Sequence, residues 1–301
     1  MKIMNIMSFQ LFTSMFSRTL LIYCWANLVA LTVNAQSTLI ANGHLLFTRV
    51  RVTHNQQTRD VLALIDTGAS VNLIDSTFAV DSFQINSTNS NATIGNTLGK
   101  RIKSFDFNLD SISLDNTICF KSRCFVIDLA SKFKDPAINL VLGGDFLKRR
   151  KWCFDLKSYK ISCDEIIPAD TDIEASIKWG NENDYSDAAL NSIYIKGKIS
   201  GIKTRIFFDT GSIYNDLPLN FNIPTTEYIE LSGANIAETQ VKKKVGRCLN
   251  INTDLKCYNT NLDFVKAHDK YPRINMSLFW GKKIILDYDR KVIYILKERE
   301  R

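Results

Sequence analysis

The stretch "ALIDTGASVNLID", Ala63–Asp75, has the pattern of a buried strand that ends at a carboxylate. Three apolar residues lead into Asp66, and a turn on Gly68 follows before the chain becomes apolar again. Asp-Thr-Gly is a favourable turn sequence, because Asp can bond its own backbone and Gly tolerates positive φ. A single copy would therefore be structural more often than catalytic.

The arrangement occurs a second time in "RIFFDTGSIYNDL", Arg205–Leu217, around Asp209. A strand pair precedes each turn, and a Gly-containing stretch and a cysteine pair follow it. Each copy closes on a hairpin that contains an aspartate, Asp155 in the first and Asp287 in the second. The repeat predicts one unit written twice. Because burial of an unpaired carboxylate is costly, two matched copies favour a catalytic role.

The pattern outside the turns predicts an all-β fold. Segments such as "LLFTRVRVTH" and "NSIYIKGKIS" alternate apolar and polar residues and are rich in β-branched and aromatic side chains. Convincing amphipathic helices are scarce. We expect an N-terminal lobe over residues 36–165, an interlobe connector over 166–188, which is acidic and has little periodicity, and a C-terminal lobe over 189–301.

Residues 1–35 have the features of a signal peptide. Arg18 precedes an apolar stretch, Thr19–Val33, that is too short for a comfortable membrane span. The small side chains of Val33 and Ala35 suit the two positions that a signal peptidase reads. We therefore expect cleavage near Ala35, a secreted or periplasmic location, and no membrane span after cleavage.

Six cysteines follow that segment, in three local pairs. In an oxidising compartment the economical prediction is three local disulfides, and the alternative is six reduced thiols, because spacing does not prove connectivity. The chain has no Cys-x-x-Cys and its three histidines are scattered, so the sequence predicts no metal site and no cofactor. The predicted disulfides are Cys119–Cys124, Cys153–Cys163 and Cys248–Cys257.

The net charge of the chain gives no reason to expect a nucleic-acid partner. The 301 residues carry a formal charge of +7, spread along the chain apart from Lys148–Lys151 and Lys242–Lys244. We interpret these two runs as solvated surface. No nucleic-acid-binding signature accompanies them.

Two carboxylates explain why the turn is repeated. Placed face to face at ~3 Å they cannot both ionise, so they share a proton. The ionised one can take a proton from water that attacks an amide carbonyl, while the protonated one donates to the carbonyl oxygen. The threonines can bond across the pseudo-two-fold axis, and the glycines let main-chain N–H groups approach the carboxylates. The predicted catalytic residues are Asp66 and Asp209, and the predicted supporting loops are Thr67, Gly68, Ala69, Thr210, Gly211 and Ser212.

With these residues the sequence resembles the retroviral-type and pepsin-type aspartic proteases. The resemblance rests on "LIDTGAS", on "NLVLGGDFL" at Asn139–Leu147, and on the closing hairpin with its aspartate. It is strongest to bacterial exported aspartyl protease family proteins with two retropepsin-like units. The resemblance implies a bilobal aspartic protease fold of two β-barrel-like lobes with a cleft between them. It also implies a monomer that hydrolyses a peptide or protein substrate, that is, an exported aspartic endopeptidase.

The second copy departs from the family pattern. Leu142-Gly143-Gly144-Asp145 in the first copy aligns with Ile274-Asn275-Met276-Ser277, where the glycine is missing. That loop normally packs beneath the catalytic turn. The alternative hypotheses are a catalytically weak or inactive bilobal peptide-binding pseudoprotease, and a structural β-protein that uses the aspartates only as turns.

The residue after each glycine also differs, being Ala69 in one turn and Ser212 in the other. We expect the Ser212 hydroxyl to donate to Asp209, because a hydrogen bond to the charged form favours ionisation. Asp66 should then be the more often protonated partner.

Overall fold

The structure, a computed structural model, describes residues 36–85, 92–95, 101–114, 117–133, 137–180, 191–235, 238–267 and 270–298. The described residues belong to one compact unit, Gln36–Arg301, and most of them lie in β-strands. The predicted all-β class is therefore confirmed, whereas the division into two lobes stays a prediction. The predicted signal peptide, residues 1–35, lies outside the described residues.

The described strands and helices follow one another in two similar series. The first series is β1 (Ser37–Asn42), β2 (Leu45–His54), β3 (Gln57–Ile65), β4 (Asn72–Asp75), α1 (Ser76–Phe83), β5 (Ala92–Gly95), β6 (Arg101–Leu114), β7 (Thr117–Ile127), β8 (Leu140–Leu142), α2 (Gly144–Leu147), β9 (Trp152–Asp155) and β10 (Lys160–Cys163). The second comprises a 3-10 turn (Asp170–Asp172), β11 (Ile173–Gly180), β12 (Ile193–Ile199), β13 (Ile202–Phe208), β14 (Asp216–Pro218), β15 (Glu227–Asn235), β16 (Glu238–Asp254), β17 (Asn259–Ala267), β18 (Arg273–Ile274), a 3-10 turn (Met276–Phe279), β19 (Lys283–Asp287) and β20 (Val292–Leu296).

The strand that leads into each Asp-Thr-Gly turn is held in the same way in both series. β3 pairs with β8 in parallel, with Ile65 opposite Leu142, and β8 also pairs with β4 in the antiparallel sense. Likewise β13 pairs with β18 in parallel, with Phe208 opposite Ile274, and β18 pairs with β14 in the antiparallel sense. In each series the two strands that the turn connects therefore lie on opposite sides of one shared neighbour, which is β8 in the first series and β18 in the second.

One antiparallel sheet is built from the outer strands of both series. Its order is β1, β10, β9, β19, β20, β11, so the first strand of each series lies at an edge and the closing hairpins meet in the middle. Cys153 of β9 lies opposite Ile285 of β19 at this central junction. Main-chain hydrogen bonds between β9 and β19 therefore join the two series. The aromatic side chains of Trp152 and Phe154, on β9, are fully buried.

The segment predicted as a connector contributes to this sheet. Its middle part is β11, which pairs with β20 along Ile173–Lys178. The segment "IEASIKWG" alternates exposed and buried side chains, as expected of a strand with one face on the core. Residues 173–180 of the predicted connector therefore form a strand of this sheet.

None of the three predicted disulfides is present among the six cysteines that the structure describes. For the second pair the register gives the reason. Cys153 lies opposite Ser162, whereas Cys163 lies opposite Trp152. Since neighbouring residues of a strand point to opposite faces, the two cysteine side chains leave the hairpin on different sides.

The other two pairs also remain unbonded. Cys248 is buried within β16, whereas Cys257 is exposed beyond the end of that strand and its thiol donates to the Ser176 carbonyl at 3.0 Å. Cys119 and Cys124 are buried in the same strand, and burial raises the pKa of the Cys124 thiol well above its usual value. A buried, protonated thiol is poorly reactive.

No helix in the described part of the chain is both long and apolar enough to span a bilayer.

The central sheet predicts a large effect of truncation in its core. Phe154→Ala should lower the free energy of unfolding by about 3–5 kcal/mol, because it removes a fully buried ring and leaves a cavity. Urea unfolding measures the change. The matched control is Phe120→Ala, since Phe120 is 70% exposed and its truncation should change stability by less than about 0.5 kcal/mol. Equal effects of the two substitutions would contradict the assigned core.

Candidate active site

The two Asp-Thr-Gly turns lie at the ends of equivalent strands. Asp66 directly follows β3, and its main-chain N–H donates to the Leu142 carbonyl at 3.0 Å. Asp209 directly follows β13, and its N–H donates to the Ile274 carbonyl at 2.9 Å. The parallel neighbour strand thus fixes the main chain of each aspartate.

A reciprocal set of buried hydrogen bonds joins the turns. The Thr67 hydroxyl donates to the Phe208 carbonyl at 3.0 Å and accepts from the Thr210 N–H at 3.1 Å. The Thr210 hydroxyl donates to the Ile65 carbonyl at 2.7 Å and accepts from the Thr67 N–H at 3.0 Å. The predicted bonding of the threonines between the two turns is therefore present, and each hydroxyl both donates and accepts one hydrogen bond.

The two carboxyl groups lie close together, each against the glycine of the other turn, so that the charge of Asp209 acts on Asp66. Asp66 Oδ1 also accepts from the main-chain N–H of Gly68 at 2.8 Å and of Ala69 at 3.0 Å. Asp209 Oδ1 accepts from the N–H of Gly211 at 2.9 Å. The structure thus brings together the two residues that the repeat singled out, each held by its own turn.

The glycine of each turn lies against the aspartate of the other turn. A Cβ atom added at Gly68 would overlap the carboxyl group of Asp209, and one added at Gly211 would overlap that of Asp66. Neither clash involves a flexible end that could move away without breaking the pair. Close approach, rather than a positive φ, is therefore what requires glycine here.

The environment favours protonation of Asp66. Burial of the carboxyl group, the charge of Asp209 and the hydrogen bond to Asp209 together raise the pKa of Asp66 to about 8. The N–H groups of Ala69 and Gly68 act in the opposite direction and are outweighed. Asp66 can therefore carry a proton near neutral pH, as expected of one member of a proton-sharing pair.

The expected role of Ser212 is wrong. Its hydroxyl donates to the Tyr214 carbonyl at 2.7 Å, within its own loop, rather than to Asp209. The side chain near Asp209 is instead Arg273, whose Nη1 lies 3.4 Å from Asp209 Oδ2. Arg273 Nε also lies 3.6 Å from Asp216 Oδ2. Arg273 was not predicted from the sequence. The repeat aligns it with the buried Val141, and a charged residue where the other copy has a buried apolar one could have revealed it.

The missing glycine of the second copy is compensated by a side chain. In the first copy the N–H of Gly144 donates to the Ala69 carbonyl at 2.7 Å, beneath the turn. In the second copy the Asn275 amide donates to the equivalent carbonyl, that of Ser212, at 3.0 Å. Asn275 Oδ1 also accepts from the Ser277 N–H at 2.9 Å and so caps the 3-10 turn. The loop still supports the turn, by a different chemical group.

A second asparagine pair shows the same correspondence. Asn72 Oδ1 accepts from the N–H of Gly143 at 3.0 Å, and Asn215 Oδ1 accepts from the N–H of Asn275 at 2.8 Å. All four residues are buried or nearly so. These asparagines, which the sequence analysis did not single out, stand at equivalent positions after the two aspartates and hold each turn to its supporting loop.

A tyrosine lies near the first aspartate. The Tyr288 hydroxyl is buried and has no hydrogen-bond partner among the described residues, and its ring makes an edge contact with Trp179. Burial raises the pKa of Tyr288 above its usual value, and the charge of Asp66 raises it further. Nothing in the repeat pointed to this residue, because the first series has Leu156 at the corresponding position after Asp155.

A cavity of about 560 Å³ opens beside the second turn. Tyr214 and Asn215 form the part nearest the turn, Ile229 and Phe264 provide apolar surface, and His44 reaches it from the first series. In the described part of the chain, His, Cys, Asp and Glu side chains form no group suited to hold a metal ion.

The raised pKa of Asp66 has a consequence for stability. Since the folded protein binds this proton more tightly than the unfolded chain, its contribution is complete below about pH 4 and is lost as the pH rises towards 8. We expect the free energy of unfolding of the wild type to decrease over this range relative to that of Asp66→Asn, which has no such proton. Urea unfolding at a series of pH values measures the difference. Parallel pH dependences of the two proteins would contradict the raised pKa.

The compensating asparagine can be tested on its own. Asn275→Ala removes the donor to the Ser212 carbonyl and the acceptor for the Ser277 N–H, so it leaves buried polar groups unpaired. We expect the free energy of unfolding to fall by about 1–3 kcal/mol, measured by urea unfolding. The control is Asn259→Ala, an exposed asparagine at the start of β17. If both substitutions have the same small effect, Asn275 does not support the turn.

The comparison with protein families agrees with this geometry. Residues 50–146, about a third of the chain, match the family model described as aspartyl protease. A search of curated proteins found no match. The matched segment includes the first turn and its supporting loop, whereas the second turn lies outside it. The resemblance to the retropepsin-like aspartyl proteases that the first turn predicted is thereby confirmed at the level of the family.

Proposed function

We propose that the protein is an exported aspartic endopeptidase whose catalytic pair is Asp66 and Asp209. The observation that supports this most strongly is the close approach of the two carboxyl groups, which the reciprocal hydrogen bonds of Thr67 and Thr210 hold in place. An aspartate used only as a turn residue needs no partner from the other copy of the repeat. Export is supported by the features of residues 1–35.

The arrangement assigns complementary roles to the two carboxyl groups. Asp209, as the ionised member, accepts a proton from a bound water, whose oxygen forms a bond to the carbonyl carbon of the scissile amide. Asp66, as the protonated member, donates its proton to the carbonyl oxygen. The tetrahedral intermediate then collapses as Asp209 passes its proton to the amide nitrogen and the C–N bond breaks. Asp66 regains its proton from the hydroxyl group as the carbonyl re-forms.

The surroundings favour a peptide substrate. The cavity beside the second turn combines apolar side chains, Ile229 and Phe264, with polar side chains such as His44 and Tyr214. Such a mixture suits a side chain of an extended peptide, with the polar groups fixing its orientation. In this proposal the two series of strands are the two lobes, and the chain acts as a monomer because one chain supplies both aspartates.

A catalytically weak or inactive peptide-binding pseudoprotease is the second candidate. The observation that favours it is the contact between Arg273 and Asp209, because a cation at this position alters the charge of the pair. The missing glycine of the second copy no longer supports this candidate, since the Asn275 side chain makes the bond to the turn that the Gly144 N–H makes in the first copy.

Cleavage of an unfolded protein substrate tests the proposal. We expect cleavage that pepstatin inhibits, and we expect Asp66→Asn and Asp209→Asn each to lower kcat at least about 10²-fold, since each removes one proton-transfer step. Mass spectrometry of the products gives the rates. The control Asp60→Asn, at an exposed aspartate paired with Arg51, should leave kcat unchanged.

The outcomes separate the candidates. Pepstatin binding without cleavage by the wild type would favour the pseudoprotease. Cleavage that persists in both Asp66→Asn and Asp209→Asn, the two variants of the catalytic dyad, would exclude an aspartic mechanism.

A further inference from the structure

The two-fold relation between the turns is broken at one point close to the dyad. In the first series Val141 of β8 lies between Leu64 of β3 and Leu73 of β4, and all three side chains are buried and apolar. In the second series the corresponding position of β18 is Arg273, which lies between Phe207 of β13 and Asp216 of β14. An apolar contact in one copy is thus a charged pair in the other.

The charged pair is largely removed from solvent. The exposed fraction is 16% for the Arg273 side chain, 13% for Asp216 and 10% for Asp209. The Arg273 guanidinium also lies over the Phe207 ring, with its Cζ 6.0 Å from the ring centroid. Because replacing such a pair by apolar side chains is often neutral or stabilising, stability alone does not account for the exchange of Val for Arg.

Of the two aspartates that end the equivalent strands, Asp209 is the one that the arginine contacts. Its Nη1 is 3.4 Å from Asp209 Oδ2, whereas Asp209 Oδ1 is the oxygen held by the Gly211 N–H. The same position beside Asp66 has an apolar valine. A positive charge near one carboxylate favours its ionised form, and low exposure limits the screening of this effect.

We propose that Arg273 is a positioning residue that keeps the negative charge of the dyad on Asp209, so that Asp66 holds the shared proton. This inference rests on the proposed function, because it concerns the protonation state in which the dyad would act. Arg273 takes the part that the Ser212 hydroxyl was expected to have. The ion pair between Arg273 Nε and Asp216 Oδ2, at 3.6 Å, helps to keep the guanidinium beside Asp209.

The charged and titratable groups around this site come from several elements. Asp66 faces Asp209 from the first turn, Asp216 faces Arg273 from β14, and the Tyr288 hydroxyl faces Asp66 from the hairpin that follows β19. Asp66 and Asp216 are acidic and Tyr288 is neutral in its protonated form, so Arg273 is the cation that these contacts place beside the pair.

The pH dependence of kcat/KM for peptide cleavage tests the inference. In Arg273→Gln the acidic limb should move to higher pH by about one unit, since the dyad loses the cation that favours its ionised form. Arg273→Lys retains the charge and should keep the limb near its wild-type position. The matched control is Arg123→Gln, because Arg123 likewise pairs with an aspartate and lies over a phenylalanine ring but belongs to the first series.

A double variant guards against misfolding. Arg273→Val with Asp216→Leu gives the second copy the apolar pair that Val141 and Leu73 already form in the first, so Asp216 is not left buried without its cation. We expect it to fold and to show the same displacement of the acidic limb as Arg273→Gln. An unchanged limb in this variant would overturn the inference. So would an equal displacement in Arg123→Gln, or a rate that rises at every pH once Arg273 is removed, which would identify the contact as inhibitory.

A second measurement does not depend on activity. At pH 7 the loss of stability caused by Arg273→Gln should be larger in the wild type than in Asp209→Asn, because only the wild type has the charge that Arg273 stabilises. Equal losses would overturn the inference. If the wild type neither cleaves peptides nor binds pepstatin, the proposed function fails. The comparison of stability losses in the wild type and in Asp209→Asn then decides by itself whether Arg273 holds the charge on Asp209.

Discussion

The reciprocal hydrogen bonding of Thr67 and Thr210 is the interaction on which the arrangement depends. Each hydroxyl bonds to main-chain groups of the other copy, so neither turn can shift without leaving buried polar groups unpaired. An unpaired buried group costs about 1–3 kcal/mol. These four hydrogen bonds therefore fix the position of each turn relative to the other, without any contribution from the carboxyl groups.

That constraint accounts for the other features of the site. Two carboxyl groups brought this close cannot both be charged, so one proton is shared, and the environment favours placing it on Asp66. The same closeness leaves no room for a side chain at Gly68 or Gly211. The central sheet, in which the closing hairpins of both series meet, holds the two copies at the spacing that the threonines require.

The sequence predicted the all-β class and the meeting of Asp66 with Asp209, because both follow from local patterns that the chain writes twice. Residues whose role depends on strand register were harder. Arg273 reaches Asp209 only because β18 pairs with β13. Cys153 and Cys163 point to opposite faces of their hairpin because the register places Cys153 opposite Ser162 rather than opposite Cys163. Nothing in the spacing of the cysteines reveals on which face of a hairpin each lies.

Competition for hydrogen bonds explains two other differences. The Ser212 hydroxyl donates to the Tyr214 carbonyl of its own loop rather than to Asp209. Asn275 was interpreted as the loss of a glycine, although its side-chain amide makes the bond to the turn that the Gly144 N–H makes in the first copy. In both cases a short polar side chain bonds to nearby main chain, and the residue type alone does not say which partner it takes.

The most direct test of the shared proton is a titration of the aspartate carboxyl carbons by ¹³C NMR, with Asp66→Asn and Asp209→Asn used to assign the two signals. The account predicts that the Asp66 carboxyl is still protonated at pH 6 and loses its proton near pH 8. If both carboxyl groups are already ionised at pH 6 and titrate as isolated aspartates do, the two turns do not form a proton-sharing pair.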